Sequence, residues 1–279
     1  ANTMSSEPNS NSDREVLVPR PGHADFVGAL KYNFEDMRNV LERASARETT
    51  MRVALAAICK KFLKEIGIDI MSRVCSIGAV EDISALPDSF DASIFHKVEN
   101  SLARCVSTDI EAKMILHIQE AAKAGDTLGG VFEVVAYNVP PGLGSYAHWD
   151  RRIEGKLAQS FMSLNAIKGV EVGLGFESSK RAGSQVHDHI IVKSDQVTYA
   201  TNRAGGVAGG GERAGAPAGG GADLGALLAG GGAGLVPGFV AEAGRGGVLG
   251  VRDEADLVGA AQEQGRTGRY GADGAPAGA

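Results

Sequence analysis

Hydrophobic residues recur along this chain with two different periods, and the switches between them mark out most of its elements. Across residues 49–66 the apolar positions Met51, Leu55, Ile58, Phe62, Leu63 and Ile66 fall at three-and-four spacing, which predicts a helix. Gly67 stands where a left-handed C-cap belongs, so the helix should stop there. Ala54, Ala56 and Ala57 broaden its apolar side, and a helix this apolar over several turns is expected to be covered on more than one face. A shorter helix is expected over residues 36–43.

Residues 68–80 have the composition of a strand, whereas residues 85–101, punctuated by Pro87, show no clear period. Thr108-Asp109-Ile110-Glu111 reads as a capping box opening a helix that stops at Gly125. Residues 130–139, with Val131, Phe132, Val134, Val135 and Tyr137, read as a buried strand ended by Pro140-Pro141-Gly142. A helix over 150–164 and strands over 168–176, 189–193 and 196–199 follow. Strands and helices in unequal alternation predict an α+β layered domain, not a doubly wound parallel sheet.

The pattern fades at both ends. Residues 1–19 are rich in Ser, Asn and Glu and should form an arm or loop. Residues 205–279 hold most of the chain's 39 glycines and contain no Lys, Ile, Asn, Met or Cys. The glycines follow no triplet period, which excludes collagen, and the apolar positions are too sparse for a packed domain. The expected division is therefore a core over residues 1–211 and a low-complexity Gly/Ala-rich tail over 212–279, disordered or out of frame. Gly, Ala, Arg and Pro have GC-rich codons, whereas the missing Lys, Ile and Asn have AT-rich ones.

A chain of 279 residues with 43% hydrophobic content can bury a core. No apolar run approaches the roughly 18 residues of a membrane span, and no apolar stretch follows a basic start, so a cytoplasmic protein without a membrane partner is expected. Cys59, Cys75 and Cys105 are widely spaced and free of Cys-x-x-Cys, so reduced core residues are expected, with neither disulfides nor a zinc ribbon.

Charge sharpens the functional picture. The net charge is −6, yet Arg20, Arg38, Arg43, Arg47 and Arg52 crowd into one short stretch. Local guanidinium groups in an acidic protein point to a small anionic ligand and away from nucleic acid. Pro21-Gly22 beside Arg20 and the small Ala44-Ser45-Ala46 beside Arg47 leave backbone amides open to close approach. His23 is the titratable group among them and suits proton transfer. Farther on, His187 and His189 would share one face of a strand and could chelate a metal. No third ligand stands at a fixed spacing, so His187-Asp188-His189 reads as a turn before a strand and no metal is expected.

Arg20-Pro21-Gly22-His23-Ala24-Asp25 and Glu42-Arg43-Ala44-Ser45-Ala46-Arg47-Glu48-Thr49 strongly resemble the chorismate synthase family. The likeness continues through Gly125-Asp126-Thr127-Leu128-Gly129-Gly130, Pro140-Pro141-Gly142-Leu143-Gly144, Asn165-Ala166-Ile167-Lys168-Gly169-Val170-Glu171-Val172-Gly173 and Thr201-Asn202-Arg203-Ala204-Gly205-Gly206. It implies a layered α+β fold with helices between two antiparallel four-stranded sheets, here incomplete. It also implies a cytoplasmic homotetramer that uses reduced FMN to convert 5-enolpyruvylshikimate 3-phosphate into chorismate by anti-1,4 elimination of phosphate. By carry-over, His23 is the catalytic proton donor to the leaving phosphate. Arg43, Ala44, Ser45, Asn165, Ala166 and Gly209 would contact FMN, and Arg20, Ser45, Ala46 and Arg47 the substrate. The family's opening Gly-Glu-Ser-His-Gly segment and late Lys-Pro loop have no counterpart here. The competing expectation is therefore an inactive fragment that at most binds flavin or phosphate weakly, or serves as an interaction module.

Overall fold

The computed structural model describes residues 15–44, 48–87, 89–193, 195–209, 211–212 and 226–230. Three helices come first: α1 (Asp25–Tyr32), α2 (Arg38–Ala44) and α3 (Glu48–Glu65). Then follow β1 (Asp69–Ile77), β2 (Val80–Glu81), α4 (Ala92–Asn100), α5 (Thr108–Ala124) and β3 (Gly130–Tyr137). The chain continues through α6 (Ile153–Met162), β4 (Ile167–Val172), β5 (Ile190–Lys193), β6 (Gln196–Tyr199), β7 (Val207–Ala208), β8 (Gly211–Glu212) and β9 (Ala226–Gly230). The architecture is α+β, as the pattern predicts, and its sheets are antiparallel, as the resemblance implies. Its main sheet has the order β2-β1-β3-β9-β4, and β5–β6 and β7–β8 form separate two-stranded pairs.

The β1–β3 pair is the spine, running from Asp69 opposite Tyr137 to Ile77 opposite Gly130. A bulge at Cys75 shifts the register between Val74 and Ser76, so the same-face alternation is reset and Val74 and Ile77 enter one cluster. That cluster joins Ala103, Cys105 and Met114 of α5, and a second gathers Met71, Val98, Val135 and Tyr137 beneath α4. Arg73, also buried, pairs with Glu133 across the strands at 2.8 Å and donates to the carbonyl of Ser84, so its charge is compensated.

Several local readings change. Helices α1 and α4 are additions to the predicted set; α4 starts where the Asp91 carboxylate accepts the amides of Ser93 (2.7 Å) and Ile94 (3.4 Å). The N-cap of α5 is Ser107, one residue before the expected box, and Glu111 accepts the amide of Leu102 instead of closing that box. Asp82 sets this start by accepting the amides of Val106 (2.7 Å) and Ser107 (3.1 Å). Its burial raises the carboxyl's pKa, but the hydrogen bonds outweigh that and hold it below the usual range.

The largest correction concerns α3. Leu63 packs against Ile68 and Val139 at the end of the sheet, and Lys60 faces the body, its ammonium pKa lowered by burial. The predicted stripe of Met51, Leu55, Ile58, Phe62 and Ile66 lies on the outside, each 53–68% exposed. The periodicity is right about the helix and silent about whether a layer covers it. Cys59 is on this exposed helix and is no core residue, while Cys105 is buried and burial pushes the Cys75 thiol up to about 12. The tail reading over 212–279 lies mostly outside the described residues, but Ala226–Gly230 departs from it as a paired strand between β3 and β4.

Candidate functional site

Arg20 and His23 occupy the turn that leads into α1. The Arg20 guanidinium donates through Nε (2.8 Å) and Nη2 (3.1 Å) to the fully buried carboxylate of Asp25, and the Arg20 amide donates to the same group at 3.1 Å. This fork fixes the guanidinium and, with it, the turn. The hydrogen bonds from Arg20 hold the Asp25 carboxyl below the ordinary carboxylate range and raise the pKa of Arg20 in return. Gly22 takes φ 72°, a conformation that only glycine adopts freely, which lets the chain turn between Arg20 and His23.

His23 is exposed, with Nδ1 3.0 Å from the carbonyl oxygen of Pro21. A carbonyl only accepts, so Nδ1 carries the proton in this contact and Nε2 is left for exchange with a ligand. Helix α1 packs on α2 through Gly28, where a Cβ would come within 2.4 Å of the Val40 side chain. The Asp36 carboxylate accepts the amides of Val16 (3.0 Å) and Arg38 (2.8 Å), so the strand of chain before Arg20 is tied to the start of α2.

At the far end of α2, Arg43 and Ala44 are exposed, and Asn165 donates from Nδ2 to the Ala44 carbonyl at 3.5 Å. Alongside, Arg52 of α3 pairs with Glu48 at 2.9 Å and donates to Ser163 Oγ at 2.6 Å. The turn between α6 and β4 is thereby held against the α2–α3 corner. Ala166 has φ 67°, a left-handed backbone uncommon outside glycine and asparagine. Asn165 does not cap α6; Ser163 takes that position. Strand β8 lies against α6, and Gly209 (φ 63°) stands at the β7–β8 turn with open space where a Cβ would point.

The structure therefore joins Ala44 to Asn165 and sets Gly209 on the hairpin beside α6. Arg20 and His23 sit in their own turn at the start of α1. Ser45, Ala46 and Arg47 lie outside the described residues. Sequence reasoning missed Asp25 as the group that orients Arg20; the five-residue spacing within Arg-Pro-Gly-His-Ala-Asp was the available signal. His187-Asp188-His189 holds no metal cluster among the described residues, and its aspartate bonds to the segment before Gly209 instead.

The fold is antiparallel α+β, and the candidate site residues stand on a helical corner, the turn before α1 and a glycine hairpin. The family model described as chorismate synthase matches residues 2–215. The chain is 50% identical over 198 residues to chorismate synthase of Caldicellulosiruptor saccharolyticus, covering 71% of this chain and 52% of that protein. It is 49% identical over 195 residues to chorismate synthase of Syntrophotalea carbinolica, covering 70% and 50%. A crystal structure of chorismate synthase superposes with a TM-score of 0.68 at 43% identity, covering 80% of this chain and 66% of the other. The chain belongs to the chorismate synthase family. It spans about half the length of the curated relatives it matches.

Proposed function

We propose that this chain acts as a chorismate synthase, a lyase that eliminates phosphate and a ring hydrogen from 5-enolpyruvylshikimate 3-phosphate on the route to aromatic amino acids. The observation that carries this reading is the contact of Asn165 with Ala44. It unites two segments 121 residues apart, both of which the family resemblance assigns to a single flavin.

The donor set suits reduced FMN. Arg43 supplies a cation, Asn165 both a donor and an acceptor for a ring edge, and the left-handed Ala166 and open Gly209 backbone that can approach closely. Ser45 completes that set in this reading. When bound, reduced FMN supplies electron density to the departing phosphate and assists loss of the ring hydrogen. The chain's own residues position and protonate. Asp25 holds two nitrogens of Arg20 and leaves Nη1 for a substrate carboxylate or phosphate. Ala46 and Arg47 would grip the same substrate. With Nδ1–H held by Pro21, His23 in its doubly protonated form delivers the Nε2 proton to the phosphate oxygen as the carbon–oxygen bond breaks, and is left as the neutral Nδ1–H imidazole.

Cytoplasmic location and homotetrameric assembly belong to the same reading; among the described residues no helix is long and apolar enough to cross a membrane. The test is an anaerobic assay with chemically reduced FMN and 5-enolpyruvylshikimate 3-phosphate, following chorismate and inorganic phosphate together. Equal amounts of the two products support the elimination. Phosphate without chorismate would show simple hydrolysis and contradict it.

A further inference from the structure

We infer that Asp188 is a positioning residue for the flavin site: its carboxylate fixes the segment that presents Gly209. The inference rests on the flavin reading above and adds a residue that reading does not use.

Asp188 precedes β5, between two histidines that suggest a metal in the sequence but form no metal cluster among the described residues. Its Oδ1 accepts the Thr201 hydroxyl and the Arg203 amide (2.8 Å), and its Oδ2 accepts the Ala204 amide at 2.9 Å. Donors from three residues of one turn thus converge on one carboxylate. On its other side the same turn is locked to the end of β4. Leu174 donates its amide to the Arg203 carbonyl at 2.8 Å, and a Cβ on Gly173 would lie 2.3 Å from that oxygen and 2.5 Å from the Gly205 nitrogen. Gly205 and Gly206 are buried, so the chain leaves this clamp in a set direction and forms β7, the Gly209 turn and β8.

Gly209 has no side chain through which its position could be secured, so it is placed by the backbone on its two sides: β8, paired with β7 and set against α6, beyond it, and the turn at 201–206 before it. Asp188 and the Gly173–Gly205 contact hold the side that leads into it. An asparagine at 188 has one acceptor oxygen and one amide donor. Whichever way it is turned, an NH₂ group faces an N–H or O–H, and at least one of the three bonds is lost.

The experiment is a titration of the whole chain with FMN, followed by flavin fluorescence, for the unmodified protein, Asp188→Asn and Thr201→Ser. Melting temperature and hydrogen exchange across β1, β3 and α5 are measured in parallel. The expected result is at least a tenfold rise in Kd for Asp188→Asn, faster exchange confined to residues 201–209, and unchanged core protection. Thr201→Ser keeps the hydroxyl donor and should bind FMN within twofold of the unmodified chain. Equal FMN affinity in Asp188→Asn and the unmodified chain would overturn the positioning role and leave the flavin reading standing. Loss of core protection in Asp188→Asn would overturn it by showing a general structural role. Failure of the unmodified chain to bind FMN would overturn the flavin reading, and the positioning role with it.

Discussion

A histidine whose Nδ1 is tied to a backbone carbonyl and an arginine forked onto a buried carboxylate should fail differently when removed. His23→Ala is expected to lower kcat by about 10² to 10⁴ with little change in KM, because proton delivery to a leaving phosphate acts in the transition state. Arg20→Ala should chiefly raise KM, since gripping an anion stabilises ground and transition states alike. Steady-state kinetics separates the two, and a His23→Ala variant changed only in KM would demote the histidine to binding. Asp25 adds a pH signature. Its pKa is depressed in the folded chain by Arg20, so it contributes stability above its unfolded value, about 3.9, and that stability is lost as pH falls through the lower folded value. Thermal melts of Asp25→Asn should therefore lie below those of the unmodified chain at pH 7 and converge with them under acid. An Asp25→Asn chain equally stable at pH 7 would contradict the coupling.

Helices and strands were legible where period and punctuation agreed. The three-and-four spacing before Gly67 located α3, the Thr108–Gly125 frame located α5 to within one residue of its Ser107 cap, and the apolar run before Pro140 located β3. Helix α4 was not legible, because Pro87 disrupts the window and the start depends on one carboxylate, Asp91, that caps only in three dimensions. The α3 stripe shows the other limit: a sequence period tells which residues share a face, not what lies opposite it. Replacing Met51 or Ile58 by Ser on this exposed face should change stability by no more than about 0.5 kcal/mol. Met114→Ala, in the fully buried cluster with Val74 and Cys105, should cost about 2 to 5 kcal/mol. Denaturant melts that gave the two classes equal costs would overturn this division of surface and core.

At the scale of the whole molecule, the residues of the candidate site were legible as strings, but their assembly was not. Nothing in the spacing of Ala44 and Asn165 says that they meet, and His187-Asp188-His189, legible as a turn before a strand, gives no sign that the Asp188 carboxylate holds the turn at 201–204. Composition also hid β9, since a Gly/Ala-rich stretch shows no strand period, although Ala226–Gly230 pairs with both β3 and β4. Ending the chain at residue 211 would leave those two strands with unpaired edges, so the truncated protein should melt at a lower temperature. An unchanged melt would show that β9 contributes nothing. The central claim is that the chain binds a phosphorylated substrate together with flavin, and melting temperature measured with 5-enolpyruvylshikimate 3-phosphate and FMN, singly and together, tests it most directly. A ligand held at a hundred times its Kd adds about 2.7 kcal/mol of stability. For a domain of this size that is a rise of roughly 5 to 10 °C. The account predicts a rise of that order with the substrate and a larger one with both ligands. No shift with either at millimolar concentration would contradict it.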